Sequence, residues 1–119
     1  MENHYILSKV PKHTEIYVFG SILRSSNPND LDIIIVYDPF VYPLYTIYDS
    51  SNSLIVSLHE RFNVKVHAVY LSYGETKECT FIKDVGAITL IQFLNEYSSK
   101  WLHEKTLYFL ENISARYLS

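Results

Sequence analysis

Short continuous apolar runs alternate along the chain with longer stretches whose apolar residues recur every three or four positions. "EIYVFG" (15–20) and "LDIIIVY" (31–37) are runs of the first kind, rich in β-branched and aromatic residues. They predict strands, with Gly20 breaking the first and Asp38-Pro39 ending the second. The unbroken apolar stretch of the second predicts cover on both faces of its sheet. "NVKVHAVYL" (63–71) predicts a third strand. Between the second and third, Leu44, Ile47, Tyr48, Leu54, Ile55, Leu58 and Phe62 form a helical stripe. That stripe predicts a helix within 41–62, with Pro43 accommodated in its first turn.

The remaining elements follow from local chemistry. "ENHYILSKV" (2–10) predicts a short helix ending before Pro11. "SSNPND" (25–30) carries turn residues. Ser72 and Glu75 have the S-x-x-E spacing of a capping box, which opens a short helix stopping near Gly86. From Ala87 to Ser119 there is neither Gly nor Pro. Apolar positions there predict one long helix, or two broken near Ser98-Ser99. The order strand, strand, helix, strand, helices predicts a small mixed sheet packed by helices, in the α/β or α+β class. Residues 1–86 form the core of this reading. Residues 87–119 form a helical tail packing on the core, on a partner, or both. Apolar and aromatic residues on more than one face of the tail predict an interface over 87–118, in a homodimer or with a helical partner.

Composition narrows the class. At 119 residues and 48% apolar, the chain is most simply one domain with a real core. A net charge of −3 argues against a broad phosphate-gripping surface, so extensive nucleic-acid binding is not expected. A single bound nucleotide held with metal is compatible with it. Cys79 is the only cysteine, which excludes an internal disulfide and fits a reducing compartment. No apolar stretch approaches membrane-spanning length and no basic-apolar leader opens the chain, so a soluble cytoplasmic protein is expected. The eleven tyrosines serve packing or a partner surface, and composition does not choose between them.

Candidate chemistry lies in "VFGSILRSSNPNDLDIIIVYD" (18–38). Residues two apart in a strand point the same way, so Asp30 and Asp32 share a face. Two adjacent carboxylates repel each other and suit a hard divalent cation such as Mg2+, which keeps several waters and commonly holds a nucleotide phosphate. Gly20 lets backbone approach a phosphate closely. Ser21 can offer its N–H and hydroxyl, and Arg24 a planar cationic contact. The five histidines lack a paired metal spacing, and Ser21 lacks the G-x-S-x-G context of a hydrolase elbow.

Phe19-Gly20-Ser21, a loop, and Asp30-Leu31-Asp32-Ile33 together resemble the signature of the nucleotidyltransferase superfamily related to DNA polymerase beta, most closely its minimal bacterial members. The resemblance covers roughly residues 15 to 72. It implies that Gly20 and Ser21 hold the triphosphate of ATP or another NTP, and that Asp30 and Asp32 bind the metal. The implied reaction moves a nucleoside monophosphate to a hydroxyl, with pyrophosphate leaving. Small proteins of this type are often paired with a helical HEPN-type ribonuclease toxin, which they neutralise by binding or by adding AMP to a tyrosine. The chain departs from the family pattern in three places. Its loop is short. Leu23-Arg24-Ser25 stands where Ala-Arg-Gly is common. The third strand carries no carboxylate, and His67 occupies its central position. A neutral imidazole suits general-base work; the other reading of His67 is a strand histidine donating a hydrogen bond. Glu75 is accounted for by the capping box alone. A catalytically lapsed member that acts only as a binding module is the alternative reading of the whole chain.

Overall fold

The computed structural model describes residues 2–24 and 28–96. Ten short elements follow one another there: α1 (Glu2–Leu7), β1 (Thr14–Phe19), a 3-10 turn (Ser21–Leu23), β2 (Asp30–Tyr37), α2 (Thr46–Phe62), β3 (Lys65–Ser72), α3 (Tyr73–Glu78), α4 (Phe81–Asp84), β4 (Ile88–Thr89) and α5 (Leu90–Glu96). The strands form one mixed sheet in the order β3-β2-β1-β4. β1 runs antiparallel to β2 and to β4, while β3 runs parallel to β2 through the α2 crossover. This is the small helix-packed mixed sheet that the order of elements predicts, an α+β fold.

Burial explains the apolar run of β2. Residues Ile33 to Val36 are all fully buried. Leu31, Ile33 and Ile35 point into the main core, against α1, α2 and α5 through Ile6, Leu54, Leu58, Phe62, Phe93 and Leu94. The Phe62 and Phe93 rings lie 5.4 Å apart at its centre. Ile34 and Val36 point to the other face. There α3 packs against β2 and β3, and Phe81 of α4 meets Phe19 of β1 edge-on at 5.6 Å. Removing both faces of one strand from water makes β2 the main source of hydrophobic stability in the sheet.

Local chemistry sets the ends of the elements. α2 stops at Asn63, which takes a left-handed φ of 53° and donates its N–H to the His59 carbonyl at 2.8 Å. The His59 Nδ1 lies 2.7 Å from the Val64 carbonyl and ties the same corner. The capping box at α3 is present in both halves: Ser72 Oγ accepts from Glu75 N, and a Glu75 carboxylate oxygen accepts from Ser72 N.

Two boundaries differ from the sequence expectation. α2 begins at Thr46, because Leu44 and Tyr45 adopt φ of 49° and 69°, which an α-helix cannot contain. The segment up to Gly86 is two helices, α3 and α4, and Gly86 turns with φ 65° into β4. Ile88, read as part of a helical stripe, pairs instead with Val18 in β4. Leu90, Phe93 and Leu94 of α5 are buried in the core, so this part of the expected tail packs on the sheet. Residues 97–119, and with them most of the expected tail interface, lie outside the described residues, as do Ser25, Ser26 and Asn27. Among the described residues, no helix is long and apolar enough to cross a membrane.

Candidate functional site

The site candidates gather where β1 ends and β2 and β3 begin. β1 pairs Phe19 with Asp32, and β3 pairs Lys65 with Asp30 and His67 with Asp32. Alternation along each strand then places Phe19, Asp30, Asp32, Lys65 and His67 on one face, opposite the main core. The shared face expected for the two aspartates is what the register produces.

Gly20 follows directly. Its backbone sits at φ 88° and ψ −158°, a region almost reserved for glycine. A Cβ added there would overlap Asp32 Oδ2 and stand 3.3 Å from Asp32 Cγ. The glycine therefore lets the chain turn directly against the carboxylate. Ser21 opens the 3-10 turn, exposed, and its carbonyl accepts the Arg24 N–H at 3.0 Å. Arg24 closes the turn and is also exposed. Leu23 N–H donates to the Gly20 carbonyl at 3.1 Å, which ties the turn to the glycine.

The two carboxylates differ in environment. Asp30 Oδ1 lies 3.4 Å from His67 Nε2, with both side chains about half exposed at 46% and 52%. So exposed a pair contributes little to stability even when His67 is protonated. Asp32 is more enclosed. Burial pushes its carboxyl above the usual range, His67 pulls it down, and the charge of Asp30 pushes it further up. A carboxylate disfavoured by desolvation and by a like-charged neighbour is one that a cation would stabilise.

The donor set is two hard carboxylates on one face and an exposed serine, with the Gly20 backbone packed against Asp32. It fits Mg2+, which needs only one or two protein carboxylates when substrate phosphates and water complete its shell. It does not amount to a dedicated protein cage: among the described residues, no group of three His, Cys, Asp or Glu side chains is arranged to hold a metal ion.

Compared with family models, with curated proteins and with solved structures, the chain matches none. The site's reading therefore rests on its own geometry.

One neighbour escapes a reading of the sequence. Lys65 stands beside Asp30 across the parallel pair, a placement that only the register of β2 and β3 reveals. Phe19, already part of the quoted motif, stands beside Asp32 across the antiparallel pair.

Proposed function

We propose that this chain is a minimal nucleotidyltransferase-like domain that moves a nucleoside monophosphate, AMP above all, from an NTP to a hydroxyl acceptor. The observation that carries the reading is the backbone of Gly20 packed against Asp32, on the face that Asp32 shares with Asp30 and His67. Such a glycine brings backbone N–H groups that could bind phosphate close to the carboxylates that would hold the metal, and the resemblance of residues 15 to 72 agrees with it.

In this reading Gly20 and Ser21 bind phosphate oxygens through backbone N–H groups and the Ser21 hydroxyl, and Arg24 adds charge. Asp30 and Asp32 would hold Mg2+, which supplies charge neutralisation at the phosphates. The acceptor oxygen bonds to the α-phosphorus as the bond to the pyrophosphate oxygen breaks. The acceptor proton passes to an imidazole nitrogen of His67. A protein tyrosine on a helical HEPN-type partner is the acceptor that the resemblance suggests, and a cytoplasmic, bacterial setting goes with it.

A second reading is favoured by one observation. The β3 residues on this face are Lys65, His67, Val69 and Leu71, without a carboxylate. A lapsed domain that binds its partner protein, or a second copy of itself, without transfer would need none.

The test is incubation with ATP labelled at the α-phosphate, Mg2+ and a bacterial lysate, with ATP labelled at the γ-phosphate run alongside. Transfer predicts an acceptor labelled only from the α position, with Asp32→Asn at background. No acceptor labelled by the wild type, together with unchanged partner binding by Asp32→Asn, would decide for the binding module.

A further inference from the structure

At the far end of β2 from the carboxylates, the chain exposes apolar side chains that its sequence could have hidden. Phe40 is 97% exposed, Leu44 91% and Tyr45 76%. A helix begun at Pro43 would have kept Leu44 and Tyr45 in ordinary backbone geometry. Instead both are left-handed, which non-glycine residues resist. Strain of this kind persists where the surroundings enforce it, and it clusters at ligand-binding segments.

Several contacts enforce it here. The Asp38 carboxylate accepts the Phe40 N–H at 2.9 Å, and the Asp38 carbonyl accepts from Val41 N and Tyr42 N at 3.0 Å each. The Tyr42 hydroxyl donates to the Lys12 carbonyl. Tyr45 stacks on Tyr48 at 5.9 Å, and Tyr48 meets Tyr70 of β3 edge-on at 4.4 Å. The loop is thus tied to the segment before β1 and to α2, whose Tyr48 packs on β3, with Phe40, Leu44 and Tyr45 still exposed.

These residues frame a cleft of about 430 Å3 lined by Tyr37, Pro39, Tyr42, Pro43, Leu44 and Tyr45. None of the six is charged. Three carboxylates are nearby: Asp38 lies between two lining residues, Asp49 follows Tyr48 on α2, and Glu75 caps α3; Lys12, whose carbonyl accepts the Tyr42 hydroxyl, is the adjacent cation. Burial first, then the charge of Glu75, pushes the Tyr37 hydroxyl above its usual range. Aromatic ring faces attract cations, and carboxylates at their rim add to that attraction. Tyrosine and proline walls suit an extended segment with little conformational freedom to lose.

We infer that this cleft binds an extended segment of a partner protein in which arginine or lysine is set between apolar residues such as proline and leucine. The cation lies against the tyrosine faces within reach of Asp38 and Glu75, and the apolar residues cover Leu44 and the two prolines. The inference is independent of nucleotide chemistry, since the carboxylate site lies at the opposite end of the sheet.

The test uses the full chain, labelled with 15N, and two short synthetic peptides. One alternates proline, leucine and arginine; its twin has glutamate for arginine. The arginine peptide is expected to shift the amides of residues 37 to 48 and to bind at least about tenfold more tightly than the twin. Leu44→Asn is expected to weaken the shifts while keeping the rest of the spectrum, because it removes the apolar contact without adding charge, the side chain is exposed and asparagine accepts left-handed backbone. Absent shifts, equal affinity of the two peptides, or shifts confined to other residues would each overturn the inference. Shifts at residues 37 to 48 that follow protein concentration without peptide would overturn it in favour of a second copy of the chain.

Discussion

Substituting Gly20 by alanine separates the two demands placed on this position. The first is conformational. At φ 88° and ψ −158° a side chain is strained whatever the space around it, at a cost of about 1–3 kcal/mol. The second is contact. The new methyl overlaps Asp32 Oδ2, so the carboxylate must turn away, and an off-rotamer side chain costs about 0.5–1.5 kcal/mol. Together they predict a loss of about 1.5–4.5 kcal/mol, within the roughly 5–15 kcal/mol that a domain has to lose. Urea unfolding followed by circular dichroism gives the difference from the midpoint, provided the slope is unchanged. Repeating Gly20→Ala in an Asp32→Ala background removes the overlapped carboxylate and leaves the backbone strain. The substitution should then cost less, by about 0.5–1.5 kcal/mol. A Gly20→Ala protein within about 0.5 kcal/mol of wild type would refute the conformational argument. An equal cost in both backgrounds would refute the contact between Gly20 and Asp32, and with it the basis of the proposed phosphate site.

Further outcomes concern single residues. Asp32 has a carboxyl raised above its unfolded value of 3.8, so the folded state holds its proton longer and stability from this group falls as pH rises from that value through the raised one. In EDTA, Asp32→Asn should therefore gain on wild type across this window and be at least as stable at pH 7; a wild type that gains on the variant instead would contradict it. Added Mg2+ should reverse the order by raising the melting temperature of wild type and not of the variant. Ser72→Ala should cost about 1 kcal/mol through the capping box, read from the same urea curves, and a loss no larger than that of an exposed control serine would count against it. Leu44→Asn should stabilise by about 0.5–1 kcal/mol, since asparagine tolerates the left-handed backbone and almost no burial is lost; a destabilised variant would show that the strain at this position is illusory.

Much of the fold is legible in the sequence because its elements are long relative to the physical signal that marks them. β2 declares itself through an apolar run that only a doubly covered strand explains, and α3 through a capping box complete in four residues. The start of α2 is not legible. Leu44 continues the helical stripe by spacing, and the contacts that fix the loop around it run from Phe40 to Asp38, from Tyr42 to Lys12 and from Tyr48 to Tyr70, the last two distant in sequence. β4 is two residues long and has no period to detect. At the site, the common face of Asp30 and Asp32 follows from strand alternation alone. Their approach to Gly20 and His67 depends on the pairings Phe19 with Asp32 and Asp32 with His67, which are properties of the assembled sheet.

The same pairings set an order of events during folding. β1 and β2 close over residues 20–29, whereas β2 and β3 close over residues 38–64 and require α2 between them. Parallel pairing across a crossover is the less local and slower step. Gly20 is therefore expected to meet Asp32 with the antiparallel pair, and His67 to join when the crossover docks. Changes at the glycine should then act mainly on the rate of folding, and changes at the histidine mainly on the rate of unfolding. The half of the site that would hold a phosphate is in this sense the older half each time the chain folds.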